Sequence, residues 1–184
     1  LFMIFAPLAG VFAAGNRVMA KPSDLSPLTS EWLADAVPQF FDPLEFSVVT
    51  GDVEVAKSFT QQAFDHLVFT GSTNVAKQIM RDASQNLVPL TLELGGKSPT
   101  IVGRSADLDL VVEKIAMARA QNGGQLCVMP DTVYLQHEML EDFTHRFRKT
   151  WTEMFPTTTG NADLTSVANA RHLQRIQSKI EEAR

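Results

Sequence analysis

The 184-residue chain is predicted to be an α/β protein with a largely parallel sheet. Short segments rich in apolar and β-branched residues alternate along the chain with longer segments in which apolar residues recur at helical spacing. The composition, 45% hydrophobic and 20% charged residues, is that of an ordinary globular protein. No internal repeat or low-complexity tract interrupts the alternation.

The same patterns assign the elements in chain order. Helices are predicted over residues 1–14, 25–40, 52–59, 74–83, 108–120, 138–151 and 167–184. Strands are predicted over residues 17–20, 46–49, 65–69, 91–94, 100–102 and 132–135. Gly15 and Asn16 are expected to end the first helix, because left-handed geometry is tolerated there. Ser26 is a candidate cap for the second helix, with Pro27 in its first turn.

Residues 1–15, LFMIFAPLAGVFAAG, are strongly apolar. The run ends in small residues, as a signal peptide does, but it lacks a basic segment. It is also shorter than the about 20 residues that cross a membrane. A buried helix is therefore the favoured interpretation, and the missing initial Met predicts that the chain is a fragment.

Charge and cysteine content exclude several classes of function. A net charge of −5 and a pI near 5.3 argue against a nucleic-acid-binding surface. One cysteine cannot form an internal disulfide, and no Cys/His cluster has the spacing of a metal site. A reducing, cytoplasmic location with no membrane association is expected.

That single cysteine, Cys127, lies in the stretch NGGQLCVMP, residues 122–130. Gly123 and Gly124 precede it and Pro130 follows, so a pliable loop is predicted. The loop glycines allow close approach of a substrate, and neighbouring amides are suited to an oxyanion. The thiol is therefore either a nucleophile or a small buried apolar group, and the loop alone does not separate the two.

Glu93 ends an apolar strand in the stretch LELGGKSP. Desolvation there is expected to raise the pKa of the carboxyl group towards the range of a general base. An exposed carboxylate without a role is the alternative interpretation.

Two further turns follow predicted strands. LVFTGSTNVAK reads as a strand, a small-residue turn and a helix start, which is suited to an anion. The three spaced glycines of the dinucleotide fingerprint are absent, so Ser72 or Thr73 is equally well a simple helix cap. Lys21 and Asp24, after another strand, are placed either to hold ribose hydroxyls or to form a solvated surface pair.

The order of these motifs carries more information than any one of them. GNRVMAKPSD, FTGST, LELGGKSP and NGGQLC, in that order, resemble the aldehyde dehydrogenase superfamily along nearly the whole chain. FDHLVFTGST and the C-terminal NARHLQRIQSKIEEAR are similar to its coniferyl-aldehyde dehydrogenase branch.

The resemblance implies a division of the chain and two catalytic roles. Residues 1–93 match part of a variant Rossmann dinucleotide-binding domain, and residues 94–184 match part of an α/β catalytic domain that carries the nucleophile loop. Cys127 matches the nucleophile that forms a thiohemiacetal and then a thioester with the aldehyde. Glu93 matches the base that activates water to hydrolyse that thioester.

The cofactor implied by the resemblance is NAD, with NADP also open. Its expected contacts are Lys21, Asp24, Gly71, Ser72, Leu94 and Gly95. Lys21 and Asp24 match the pair that binds the adenosine ribose, and an acid at position 24 is compatible with a free 2′-hydroxyl. The family usually has Glu there.

The remaining cofactor positions match backbone rather than side-chain contacts. Gly71 and Ser72 match the turn at the pyrophosphate, and Leu94 and Gly95 match backbone near the nicotinamide. Gly124 and Gln125 match positions that shape the cysteine loop.

Two family segments, W-N-[FY]-P with the oxyanion-hole asparagine and E-x-F-G-P, do not occur in the chain. The chain alone is therefore expected to be inactive and unstable.

The resemblance also implies that the full-length protein is a homodimer or homotetramer. The expected substrate is an aromatic aldehyde such as coniferaldehyde, with an aliphatic aldehyde as the alternative. A non-catalytic truncated product and a phosphorylating or CoA-acylating relative are the other hypotheses, and Glu93 argues against the relative.

Overall fold

The computed structural model describes all residues from Leu1 to Arg184. Its helices are α1 (Phe2–Ala13), α2 (Pro27–Ala36), α3 (Val53–Thr60), α4 (Thr73–Ser84), α5 (Leu108–Ala120), α6 (Leu140–Met154) and α7 (Ala170–Glu182). Its strands are β1 (Val18–Ala20), β2 (Phe46–Val48), β3 (Leu67–Gly71), β4 (Leu90–Leu94), β5 (Thr100–Ile101) and β6 (Val133–Tyr134). Single turns of 3₁₀ helix span Val37–Gln39, Gln121–Gly124 and His137–Met139.

Every strand pairing is parallel, as predicted for an α/β chain, but the strands form three separate pairs. β1 pairs with β2, β3 with β4 and β5 with β6. β5 and β6 are only two residues long. Pro99, directly before β5, has no amide with which to extend the pairing.

The chain divides into two compact units, Leu1–Leu94 and Gly95–Arg184. The first unit contains α1 to α4 and β1 to β4. One of its apolar clusters joins α1, α2 and β2, and the other joins β3 to α4. Their buried members are Leu8, Leu33, Val37 and Phe46 in the first cluster and Leu67, Ile79, Ala83 and Val88 in the second.

The second unit contains β5, β6 and α5 to α7. Its apolar cluster forms where α5 packs against α6 and comprises Val112, Ile115 and Phe143. The rings of Phe143, Phe147 and Trp151 stack in succession along α6, with 6.1 Å between neighbouring centroids. This spacing fits residues four apart on one helix face.

Helix ends follow capping chemistry more closely than apolar periodicity. Ser26 does precede α2, but its hydroxyl donates to Ser23 O at 3.4 Å and forms no cap. α2 ends at Ala36 rather than residue 40, because Pro38 in the following 3₁₀ turn cannot continue an α-helix. α7 begins three residues later than predicted, since the Asn169 side chain caps it by accepting from the His172 amide.

The predicted N-terminal helix is present, but its expected burial is wrong. Only Leu8 of α1 is buried, and the Phe2 side chain is 74% exposed. α1 packs one stripe of residues against the cluster that includes Phe46, and its other faces have no neighbour in this chain. No helix of the structure has the length and apolarity to traverse a bilayer.

Candidate active site

The loop that contains the single cysteine, residues 122–130, is called the cysteine loop below. Asn122, Gly123 and Gly124 have φ of 49°, 61° and 74°, so three successive residues are left-handed. A side chain on Gly123 would place its Cβ 2.5 Å from Thr165 O, so glycine is required there for packing as well as for conformation. The predicted pliable loop is thus a sharply bent one packed against residues 165–168.

Cys127 is a free and exposed thiol at the end of this bend. The structure therefore does not support the alternative of a buried apolar cysteine in this chain. Its backbone carbonyl, by contrast, is closely contacted. A Cβ on Gly96 would lie 2.6 Å from Cys127 O, and the Ser98 hydroxyl donates to the same oxygen at 3.5 Å.

Residues 95–98 also contact the loop just beyond the cysteine. The Lys97 ammonium pairs with the Asp131 carboxylate at 2.6 Å, and the Asp131 amide donates to Ser98 O at 3.3 Å. The hydrogen bond from Lys97 lowers the pKa of the Asp131 carboxyl group against a smaller opposing effect of burial. Residues 95–98 therefore contact the backbone at Cys127 and again at Asp131, directly after the cysteine loop.

Sequence reasoning missed Gly96, Ser98 and the ion pair between Lys97 and Asp131. The adjacent glycines of LELGGKSP were a signal that backbone approaches closely there. The partner, Cys127 O, lies 31 residues further along the chain (127 − 96), and no local pattern indicates it.

The carboxyl ends of β3 and β4 bring four of the predicted positions together. The parallel register aligns Thr70 with Glu93 and Gly71 with Leu94. Ser72 follows directly and begins α4. Ligands of parallel sheets bind beyond this edge, where strands lead into helices.

Glu93 is exposed in the structure, so the expected desolvation of its side chain is wrong for this chain. The cause is the alternation of β4: Thr91 and Glu93 face outwards, whereas Leu92 and Leu94 are partly buried. β4 pairs only with β3, which leaves its other edge uncovered by this chain. Glu93 belongs to the first unit and Cys127 to the second.

The turn between β3 and α4 has the features of an anion site. The Ser72 hydroxyl accepts from the Val75 amide at 3.4 Å and so caps α4, as one of the two interpretations expected. The amides of Thr73 and Asn74 donate to no protein acceptor. A 12-residue helix with free first-turn amides presents the positive end of its dipole to an anion.

Lys21 and Asp24 follow the carboxyl end of β1. Lys21 is half-buried and Asp24 is exposed, while Pro22 between them is buried. The Ser30 hydroxyl donates to Ser23 O at 3.0 Å and holds this segment against α2. Neither Lys21 nor Asp24 forms an ion pair within the chain.

Parallel strands that lead into helices, with polar positions at their carboxyl ends, define an α/β protein. The chain belongs to the aldehyde dehydrogenase family, whose family model matches residues 1–184. It is 48% identical over 183 residues to coniferyl aldehyde dehydrogenase of Pseudomonas sp. (strain HR199 / DSM 7063), covering 100% of this chain and 38% of that protein. The resemblance predicted from the motifs is confirmed.

Solved structures of the family have the same fold. Staphylococcus aureus AldH in its substrate-bound state superposes with a TM-score of 0.87 at 33% identity, over 97% of this chain and 39% of that one. Indole-3-acetaldehyde dehydrogenase complexed with NAD⁺ superposes with a TM-score of 0.82 at 29% identity, over 95% of this chain and 37% of that one. The predicted fold class is therefore confirmed, and the chain spans about two fifths of the length of the relatives it matches.

A nicotinamide dinucleotide fits the residues present in the first unit. Free amides at the start of α4 suit a pyrophosphate. The exposed carboxylate of Asp24, after β1, suits ribose hydroxyls. No group of three or more metal-ligating side chains occurs in the structure.

Proposed function

We propose that the complete protein is an NAD(P)-dependent aldehyde dehydrogenase that oxidises an aldehyde to a carboxylic acid. The observation that carries this proposal is the exposed thiol of Cys127 on a bent loop whose backbone is held by residues 95–98. Those residues follow Glu93 in the chain after one intervening residue, Leu94. A reactive side chain on a fixed backbone is the arrangement that nucleophilic catalysis requires.

The reaction proceeds through two intermediates on Cys127. The thiolate adds to the aldehyde carbon, which forms a C–S bond and moves an electron pair onto the oxygen as a thiohemiacetal. A bound nicotinamide supplies the acceptor for the hydride that leaves this carbon. Collapse of the oxyanion then leaves an acyl thioester on the cysteine sulfur.

Glu93 completes the turnover as general base. It takes a proton from a water molecule, the oxygen attacks the thioester carbon, and the C–S bond breaks. The carboxylic acid is released and the thiolate of Cys127 is restored. A phosphorylating or CoA-acylating relative needs no such base, which favours hydrolysis.

The cofactor positions proposed are Lys21 and Asp24 for the adenosine ribose, Gly71 and Ser72 for the pyrophosphate, and Leu94 and Gly95 for backbone contact near the nicotinamide. On this proposal residues 1–93 belong to the dinucleotide-binding domain and residues 94–184 to the catalytic domain.

The proposed substrate is an aromatic aldehyde such as coniferaldehyde. Its support is the similarity to a coniferyl aldehyde dehydrogenase along the whole of this chain. Medium-chain aliphatic aldehydes are the alternative. We further propose a cytoplasmic location, in keeping with a single free cysteine. The proposed oligomeric state is a homodimer or homotetramer.

The test measures, by absorbance, the reduction of NAD or NADP that the full-length protein catalyses. Coniferaldehyde and a medium-chain aliphatic aldehyde are compared as substrates, and the reduction should depend on Cys127. Cys127→Ser should abolish turnover. Glu93→Gln should give one burst of reduced cofactor per active site and then stall at the thioester. Glu31→Gln, which removes an exposed carboxylate from α2, is the matched control and should turn over normally.

Two results would count against the proposal. One is the absence of cofactor reduction by a folded, full-length protein with either aldehyde. The other is wild-type turnover by the Cys127→Ser variant, which would assign the chemistry to another group.

A further inference from the structure

The Gln125 side chain, two residues before the cysteine, joins two separate parts of the second unit. Its Nε2 donates to Asn122 O at 2.9 Å and to Ser166 O at 3.0 Å. Its Oε1 accepts from the Ala168 amide at 3.0 Å. Both ends of one amide are therefore used, on backbone groups up to 43 residues away in the chain.

The bend of the cysteine loop needs this kind of support. Asn122 has φ of 49°, a left-handed conformation that asparagine adopts less readily than glycine. Its own Nδ2 donates to Gln125 O at 3.2 Å, so Asn122 and Gln125 each bind the backbone carbonyl of the other. This reciprocal pair closes the bend locally.

The contacts to Ser166 and Ala168 fix the bend in space. Residues 165–168 precede α7 and pass close enough to Gly123 that no side chain would fit there. The Gln125 side-chain amide both donates a hydrogen bond to this segment, at Ser166 O, and accepts one from it, from the Ala168 amide. Without it, the loop loses its attachment to residues 165–168 and one of the two hydrogen bonds that close its bend.

We propose that Gln125 is a positioning residue whose amide clamps the cysteine loop to residues 165–168 and thereby fixes where the thiol of Cys127 is presented. The inference rests on the proposed function, in which Cys127 attacks the aldehyde. A misplacement of about 1 Å costs on the order of 10²-fold in rate. The clamp acts on chemistry in the second unit, whereas the proposed ribose and pyrophosphate contacts, Lys21, Asp24, Gly71 and Ser72, all lie in the first unit.

The experiment compares Gln125→Met with Gln121→Met in the full-length protein. Methionine keeps the length and approximate volume of glutamine but removes all three hydrogen bonds. Gln121 is exposed, lies four residues earlier and takes part in none of these contacts, so it is the matched control. Hydrogen exchange of a peptide covering residues 165–168, dinucleotide affinity, KM and kcat are measured for both.

Gln125→Met should accelerate exchange in that peptide, because the Ala168 amide loses its acceptor. Its kcat should fall about 10²-fold while the dinucleotide Kd stays within twofold of wild type. Gln121→Met should match wild type in all four readouts. A purely structural role for Gln125 would instead lower dinucleotide affinity together with kcat, which would overturn the proposal.

Asn122→Gly provides a second variant in case Gln125→Met does not fold. Glycine tolerates the left-handed φ but lacks the amide that binds Gln125 O, so kcat should fall by a smaller factor, about tenfold. Unchanged exchange at residues 165–168, or a kcat of Gln125→Met equal to that of Gln121→Met, would overturn the proposal. If wild-type protein reduced no cofactor while exchange still accelerated, the proposed function would fail and the clamp itself would stand.

Discussion

Gly96 shows how a single residue can control the position of the proposed nucleophile. Its missing side chain leaves room for the carbonyl of Cys127, which a Cβ would approach to 2.6 Å. Because that neighbour is backbone, Gly96→Ala must displace either residues 95–98 or the cysteine loop. We expect kcat/KM of the full-length enzyme to fall by about 10²-fold.

Gly103→Ala is the control for this substitution. Gly103 is exposed and has open space where its Cβ would lie, so the same chemical change should leave kcat/KM within about twofold of wild type. Equal activities of the two variants would show that the contact between Gly96 and Cys127 O has no bearing on catalysis.

The ion pair between Lys97 and Asp131 should make stability depend on pH. The Lys97 hydrogen bond lowers the pKa of Asp131, so its stabilisation is present above the ordinary aspartate value of about 3.9. It is lost as the pH falls through the lower folded-state pKa. The effect should be small, since the Lys97 side chain is 82% exposed.

Thermal midpoints of wild type, Asp131→Asn and Lys97→Met, taken between about pH 2 and pH 7, test this dependence. Wild type should exceed both variants near neutral pH, and the differences should shrink towards the acid end. A constant difference across the range would mean that the ion pair does not contribute.

At the scale of elements, α3 and α4 are joined by a buried polar contact. The hydroxyl of Thr60, the last residue of α3, lies 3.1 Å from Asp82 Oδ2 and 3.0 Å from Lys57 O. Gln78 Nε2 donates to the other oxygen of Asp82 at 3.0 Å. Thr60 and Asp82 are both buried, so the contact is not replaced by water.

Thr60→Val should therefore lower the free energy of unfolding by about 1–3 kcal/mol, because a buried acceptor on Asp82 loses its donor. Thr60→Ser keeps the hydroxyl and should cost less. Chemical denaturation of the full-length protein distinguishes them. Thr60→Ser lacks only the methyl group, so a loss in that variant as large as in Thr60→Val would show that the hydroxyl's contact with Asp82 contributes no more than the packing of the methyl group.

At the scale of the whole molecule, the sequence predicted local features better than distant contacts. α5 lies at residues 108–120 as predicted, because apolar periodicity and the Asp107 cap both act within a few residues. The exposure of Glu93 follows from which face of β4 packs inwards, and the apolar residues around it do not by themselves indicate that face. The Gln125 contacts span 41 and 43 residues and leave no local pattern.

The division into two units leads to a prediction about cofactor choice. Asp24 lies in the first unit and Cys127 in the second, so cofactor affinity and chemistry should be separable. The carboxylate of Asp24, proposed to meet the hydroxyls of the adenosine ribose, would repel the 2′-phosphate of NADP because the two charges have the same sign. Asp24→Ser should therefore raise the affinity for NADP relative to NAD by about tenfold or more.

Measuring both dissociation constants in a Cys127→Ser background avoids turnover during the titration. Asp35→Ser, an exposed aspartate on α2, is the control and should leave the ratio of the two constants unchanged. Cys127→Ser alone should bind NAD as wild type does, because the substituted thiol belongs to the other unit. If Asp35→Ser shifted the ratio as strongly as Asp24→Ser, general charge on the first unit rather than the residue after β1 would set the cofactor preference.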